Sequence, residues 1–233
     1  MAEVSTSTVE FSSDAKTIGA FLALPSRTKG LLPGVVVIHE WWGLNDHIKD
    51  IAQRCARAGY AALAPDLYSR LGHQVTTDPQ EAASLMNALQ SQQALRDLNA
   101  AVQCLKKQSG IDAQRMGVIG FCMGGTFALT MATHNSDIKA SVPFYGKVPP
   151  LETLRYLLCP VLYHYGAQDG WVTKQEVDQL RQGLEKYGKP GEVKVYPEAG
   201  HAFFNDTRPD VHRSGDANNA WEHTLQFLAH HLR

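Results

Sequence analysis

Gly120-Phe121-Cys122-Met123-Gly124-Gly125 is the stretch of this chain in which residue types and spacing point most directly to chemistry. An apolar run, Arg115 to Phe121, precedes it and reads as a strand; Met123 to His134 follows and reads as a helix opening on glycines. A thiol at such a junction can act as a nucleophile. It must sit on a tight, strained turn, so its neighbours have to be small. The helix behind it offers unpaired N–H groups and a positive dipole end. Both favour a thiolate and a developing oxyanion. The pattern is G-x-S-x-G with cysteine in the serine place. A glycine-rich strand–helix turn holding an inert, buried cysteine is the plainer alternative, and the hexapeptide alone leaves both open.

Two more residues could complete such a site. Asp169, in Tyr165-Gly166-Ala167-Gln168-Asp169-Gly170, lies just beyond the apolar run Val161 to Gly166. An acid there can accept the Nδ1–H of a histidine and fix its tautomer; beside a glycine it can equally be a turn aspartate. His201, in Glu198-Ala199-Gly200-His201-Ala202-Phe203, follows the run Val193 to Tyr196. The other histidines compete with it. His39 and His164 fall inside strand-like runs and read as core or edge residues. His47, His73, His134, His212, His223, His230 and His231 fall in loops or on polar helix faces. Only His201 combines a glycine-flanked loop with a position after the acid. Nucleophile, acid, base is the chain order of α/β-hydrolases, and the convergence of three weak signals in that order makes Cys122, Asp169 and His201 the candidate triad.

Glu40, in His39-Glu40-Trp41-Trp42-Gly43, ends the first buried strand-like run. The segment is not the zinc motif H-E-x-x-H, since residue 43 is glycine and the setting is a strand end. Glu40 reads either as a surface carboxylate at a turn or as a carboxylate that reaches the nucleophile and hydrogen-bonds a neutral thiol.

Positioning these residues requires alternating strands and helices. Val35 to His39 reads as a buried parallel strand, Asp46 to Ala58 as an amphipathic helix stopped by Gly59, and Tyr60 to Ala64 as the next strand. Residues 79 to 109 read as two helices broken near Gln90 to Gln93. Ile138 to Tyr145, Val161 to Gly166 and Val193 to Tyr196 read as further strands, Thr173 to Tyr187 and Asp216 to His231 as helices. Two short strands, VEFSS and TIGAFLAL, lead the chain as a hairpin. The expected fold is one α/β domain over residues 1–233, a mostly parallel sheet with helices on both faces. Reactive groups in such sheets gather at the carboxyl ends of the strands, where all the candidates lie.

Bulk properties narrow the function. With 233 residues, a net charge of −1 and 19% charged residues, nothing favours nucleic acid or an anionic membrane. No apolar run approaches the roughly 18 residues of a membrane span, and Met1 to Ser13 is too polar for a signal peptide. Four cysteines, Cys55, Cys104, Cys122 and Cys159, are widely spaced without C-x-x-C, so neither structural zinc nor a disulfide framework is expected. The expectation is a cytoplasmic protein with reduced thiols, needing no metal or cofactor, acting on a small molecule as a monomer or small homo-oligomer.

Taken together, HEWWGLN, GYAALAPDLYSR, GFCMGG, YGAQDGWV, AGHAFFN and AWEHTLQFL resemble the dienelactone hydrolase family over nearly the whole chain. The resemblance implies the α/β-hydrolase fold and acyl transfer on an ester or lactone, with Cys122 as nucleophile, His201 as base and Asp169 as its orienter. It also implies that Glu40 partners the resting thiol and activates it when substrate enters. The backbone N–H groups of Met123 and Trp41 would form the oxyanion hole. Tyr145, Phe203, Asn205 and Arg70 are the candidate substrate contacts. Two departures bear on the substrate. The arginine that family members place four residues after the catalytic histidine is Asn205 here, and Leu71 to Leu95 contains no Arg or Lys. Arg70, Lys147 and Arg208 are the cations that could substitute. A general carboxylesterase or thioesterase of the same fold is the runner-up. A nicotinamide oxidoreductase would need G-x-G-x-x-G where Glu40-Trp41-Trp42-Gly43 stands, and a non-enzymatic binding module should lack a triad member.

Overall fold

The structure, a computed structural model, describes residues 3–28 and 30–233. Val4–Ser13 (β1) and Lys16–Pro25 (β2) pair antiparallel, from Val4 opposite Pro25 to Ser13 opposite Lys16. Asp14 and Ala15 turn the chain between them with φ of 46° and 58°. Positive φ at both central positions matches the right-handed twist of the flanking strands. Each strand is 10 residues long, so the hairpin is longer than its sequence suggests. The extra length is the Ser/Thr-rich, largely exposed part of β1, which carries little apolar alternation.

The chain forms two compact units, Met1–Gly117 and Val118–Arg233, with the strand Ile111–Phe121 (β5) running through the division. The first unit adds Leu32–Ile38 (β3), Asp46–Arg57 (α1), Ala61–Pro65 (β4), Pro79–Ala88 (α2) and Ser91–Lys106 (α3). β3 runs parallel to β4, with Val36 opposite Leu63, and β2 runs antiparallel to β4. Val35, Val36, Val37 and Ile38 are wholly buried, each contributing about 1.5–3 kcal/mol of transfer free energy. α1 packs on β2, β3 and β4. The Asn45 side chain accepts the Ile48 N–H at its start, and Gly59, at φ 92°, follows its end. His47 corrects the expectation of a polar-face histidine: it is buried in the first turn of α1. Asp78 caps α2, with Pro79 in the first turn, and the break before α3 falls at Leu89-Gln90.

The second unit contains Met123–His134 (α4), Ile138–Phe144 (β6), Val161–Gly166 (β7), Lys174–Lys186 (α5), Gly191–Tyr196 (β8) and Ser214–Leu232 (α6). β6, β7 and β8 are parallel, with Phe144 opposite His164 and His164 opposite Lys194. Thr173 and Glu176 form a reciprocal capping box at the start of α5. Short 3-10 turns at Ser69–Leu71 and Leu151–Tyr156 are too brief to show a period in the sequence. Hydrogen-bonded neighbours in the eight-stranded, mostly parallel sheet run β1-β2-β4-β3-β5-β6-β7-β8.

Candidate active site

Cys122 sits between β5 and α4 with φ 54° and ψ −118°. A non-glycine residue with positive φ is strained, and such strain persists only where the surroundings enforce it. Here the enforcement is visible. A Cβ on Gly120 would lie 2.0 Å from the Gly124 oxygen, and one on Gly125 would lie 2.4 Å from the Phe144 oxygen. The glycines thus let the turn fold back on itself and let α4 start hard against β6. The Cys122 N–H donates to the Phe144 carbonyl at 3.1 Å, and the Cys122 carbonyl accepts the Thr126 N–H at 3.1 Å. The thiol does not cap α4 with its side chain, which leaves the helix dipole end facing the nucleophile turn.

His201 Nδ1 lies 2.8 Å from Asp169 Oδ2. The Asp169 side chain is fully buried, whereas that of His201 is about a quarter exposed, at 26%. The other carboxylate oxygen of Asp169 accepts the N–H groups of Trp171 at 2.7 Å and Val172 at 2.9 Å. A buried carboxylate with three such partners is well satisfied and cannot swing away. Two aromatic rings wall the imidazole edge-on: Tyr145 at 5.0 Å and Trp171 at 5.1 Å between centroids. Tyr145, with φ 40°, directly follows Phe144, the acceptor of the Cys122 N–H. The end of β6 therefore touches both the nucleophile turn and the histidine. Ala202, at φ 61°, is the strained residue after His201.

The remaining cysteines differ in kind. Burial pushes the Cys55 and Cys159 thiols up to about 12. Burial also raises that of the half-buried Cys104. None of these three is suited to nucleophilic work at neutral pH. His164 is a structural histidine: it is fully buried between the Tyr196 hydroxyl at 3.0 Å and the Thr224 hydroxyl at 3.1 Å. Burial above all, then the charges of His223 and Lys194, holds it well below the usual histidine range.

The dienelactone hydrolase family model matches residues 18–232. The chain belongs to the dienelactone hydrolase family. A "Putative carboxymethylenebutenolidase" of Salmonella typhimurium is 36% identical over 222 residues, covering 90% of this chain and 82% of the relative. A "Probable 2-oxo-3-(5-oxofuran-2-ylidene)propanoate lactonase" of Bradyrhizobium sp is 33% identical over 235 residues, covering 96% and 94%. Among solved structures, a "Putative Dienelactone Hydrolase" from Klebsiella pneumoniae superposes with a TM-score of 0.91 at 32% identity, covering 97% of this chain and 99% of its own. The family is one of hydrolases, and the strand order above is its α/β-hydrolase fold.

For this dienelactone hydrolase family member, the candidate substrate contacts prove to be mostly interior. Phe203 is fully buried between Tyr145 at 5.6 Å and Tyr196 at 4.8 Å. Asn205 is buried too, and its side-chain oxygen accepts the Thr207 N–H and hydroxyl at 3.1 and 2.7 Å. It braces the loop after His201. Tyr145 has no exposed surface and serves as a wall of the imidazole. The three candidate cations are engaged elsewhere. Arg70 makes a two-pronged pair with buried Asp97, each contact 2.8 Å, and donates to the Ser13 carbonyl. Lys147 donates to the Trp171 carbonyl and to Glu176. Arg208 pairs with Asp210 at 2.7 Å. In the first unit, Glu40 is buried and Trp41 half-buried, in the turn after β3. Sequence reading missed Trp171, although an aromatic residue two places after the acid was a usable signal. It also missed Tyr68, whose hydroxyl donates to the Trp41 carbonyl at 2.9 Å and which no spacing rule would select. No helix is long and apolar enough to cross a membrane among the described residues, and none of their His, Cys, Asp and Glu groups gathers into a metal cluster.

Proposed function

We propose that this chain hydrolyses a small ester or lactone through a thioester on Cys122. The observation that carries the reading is a strained cysteine on a glycine-enforced turn beside a strand end, Phe144–Tyr145, whose next ring walls a histidine held by a buried aspartate. The steps follow from the groups. His201 Nε2 takes the thiol proton and the sulfur adds to the carbonyl carbon, placing a negative charge on the carbonyl oxygen. The N–H of Met123, at the start of α4, receives that charge. Collapse of the adduct breaks the carbonyl–oxygen bond, and His201 returns its proton to the leaving alkoxide. In a lactone the alkoxide stays tethered to the acyl group. Water, deprotonated by His201, then adds to the thioester and releases the carboxylic acid and Cys122. Asp169 keeps Nδ1 protonated throughout, so that Nε2 is the working nitrogen.

The lactonase and carboxymethylenebutenolidase names of the relatives favour a lactone among substrates. The cation inventory favours one without an essential carboxylate. Arg70, Lys147 and Arg208 are each tied to an anion or carbonyl of the protein, and Asn205 stands where the family arginine would be. A neutral ester should therefore be turned over better than a carboxylate-bearing lactone of similar size. Losing a charge-assisted contact costs the anionic substrate about 10-fold or more. A panel of neutral and anionic lactones, aryl esters and thioesters tests this, with Cys122→Ala as control. That variant should lose at least ~10³-fold in kcat/KM. Near-native turnover by Cys122→Ala would refute the thioester route; faster turnover of the anionic lactone would refute the substrate preference.

Glu40 completes the reading. A carboxylate placed against the thiol would disfavour a standing thiolate, because like charges repel. The resting thiol would stay neutral and resist stray oxidation, and substrate entry would free Glu40 to pass the thiol proton on to His201. Glu40→Gln should cut turnover yet speed alkylation of Cys122 at neutral pH. Superimposable alkylation–pH curves with unchanged turnover would remove Glu40 from the mechanism.

A further inference from the structure

Lys147, in the loop that leaves β6, is held at both ends. The peptide joining Gly146 to Lys147 is gripped from two sides. Its oxygen accepts the hydroxyl of fully buried Tyr163, and its N–H donates to the Thr126 hydroxyl at 2.8 Å. A planar peptide bonded through both its C=O and its N–H cannot rotate. Nor can it shift toward α4, since a Cβ on Gly146 would already lie 2.3 Å from the Thr126 nitrogen. Thr126 in turn gives its own N–H to the Cys122 carbonyl at 3.1 Å. The backbone of Lys147 is thus fastened to the first turn of α4, beside the nucleophile.

The side chain of Lys147 reaches the loop that carries the acid. Its ammonium donates to the Trp171 carbonyl and to Glu176, the latter at 3.2 Å. It also lies 5.3 Å from the centroid of the Trp171 ring, within the range of a cation–π contact. Trp171 is bound to Asp169 through its N–H at 2.7 Å and meets the His201 ring edge-on at 5.1 Å. Glu176 is fixed as well, because the oxygen that faces Lys147 also accepts the Thr173 N–H at 2.8 Å and hydroxyl at 2.9 Å. The side chains of Lys147 and Glu176 are 38% and 24% exposed. An ion pair so open to water adds little stability by itself. What it adds here is geometry: one residue connects the turn of the nucleophile to the ring that walls the histidine.

We propose that Lys147 is a positioning residue. Anchored by its backbone to the start of α4, it pins the carbonyl and ring of Trp171 with its ammonium, and Trp171 keeps His201 seated on Asp169 at a fixed spacing from the Cys122 turn. The proposal rests on the acyl-transfer reading above. It gives this cation a role in holding the triad rather than in binding a substrate carboxylate.

Wild type, Lys147→Met, Lys147→Arg, Trp171→Leu and the Lys147→Met/Trp171→Leu double variant are compared on a neutral aryl ester, together with proton NMR of the His201 Nδ1–H. Lys147→Met keeps an apolar stem and removes the charge and the donors. It should lose about 10- to 100-fold in kcat, the scale on which a small misplacement of reacting groups costs rate, with KM within about twofold of wild type. Lys147→Arg keeps the charge, the donors and the ability to stack on an aromatic face, and should recover most of the loss. The double variant should lose no more than the worse single variant, because both substitutions act through one ring. The Nδ1–H signal should be sharp and far downfield in the wild type and broadened in Lys147→Met. Should Lys147→Met fail to fold, Trp171→Leu carries the same spectral test. Unchanged kcat in folded Lys147→Met, losses that multiply in the double variant, or no recovery in Lys147→Arg would each overturn the proposal. So would a rise in KM at constant kcat, which would place Lys147 on the substrate. A wild type that cleaves no ester, lactone or thioester would overturn the acyl-transfer reading instead. The His201 signal would still judge the brace, and one identical in wild type, Lys147→Met and Trp171→Leu would overturn it.

Discussion

Each unit of the molecule holds one histidine whose Nδ1 lies 2.8 Å from an aspartate oxygen: His73 on Asp66 in the first, His201 on Asp169 in the second. By that distance alone the two pairs are the same. Their surroundings are not. His73 is 58% exposed and His201 26%. Asp66 and His73 are 7 residues apart, on one loop, whereas Asp169 and His201 are 32 apart, on loops after two different strands. The Ser69 hydroxyl on the same loop is already spent, since it donates to the Asp66 carbonyl at 2.7 Å and accepts the Gly19 N–H at 3.0 Å. The second pair lies beside the strand end that bonds the strained Cys122. An imidazole–carboxylate contact is thus a common local staple. It becomes a candidate catalytic device when a long-range assembly encloses it and leaves a nucleophile in the same place.

The comparison breaks first at His201. His201→Ala should lower kcat/KM on a neutral aryl ester by at least ~10³-fold, while His73→Ala stays within about threefold of wild type. A His201→Ala variant within tenfold of wild type would mean that the two pairs do not differ in kind.

The aspartates sharpen it. Asn in place of Asp169 offers an amide N–H where the ring needs an acceptor, so the imidazole is pushed to the wrong tautomer. The related substitution in a serine-protease triad costs ~10⁴-fold, and Asp169→Asn here should cost about 100-fold or more. Asp66→Asn should leave kcat unchanged, although the loop loosens. Steady-state kinetics on the two variants decide this, and equal losses would count against the assignment of Asp169.

What the sequence made legible follows the same division. Cys122, Asp169 and His201 stand out in the sequence as candidates because each lies in a glycine-marked turn after an apolar run, and those runs are β5, β7 and β8. The chemistry that needs a strained turn leaves glycines behind. Side-chain contacts leave no such mark. That Arg70 is committed to Asp97, or that Asn205 braces Thr207, depends on partners 27 and 2 residues away with no repeating spacing. His47 went wrong for a related reason: helical period placed it on a face, but which face met the sheet was set by the packing of α1. His39 reads from sequence as a core or edge histidine, and the structure buries it fully. Its hydrogen bonds to the Glu40 carbonyl and the Leu67 N–H belong to the tertiary structure alone.

The smallest expected effect concerns the stability of the first pair, and its sign depends on backbone as well as charge. His73 has φ 58°, a left-handed conformation in which a side chain is strained. Its contact with Asp66 offsets that strain, but the ring is more than half exposed, and an exposed pair of this kind contributes no more than about 1 kcal/mol. His73→Ala removes the contact and keeps the strained φ. His73→Gly removes both, at the cost of a more flexible unfolded chain. Urea denaturation should therefore show His73→Ala less stable than wild type by up to about 1–2 kcal/mol. His73→Gly should fall between the two, with both variants keeping near-native turnover. If the glycine variant is instead the less stable one, the left-handed conformation is not what strains this loop. If either variant loses turnover in proportion to stability at temperatures where it remains folded, the first pair is more than a staple, and the contrast with Asp169–His201 must be redrawn.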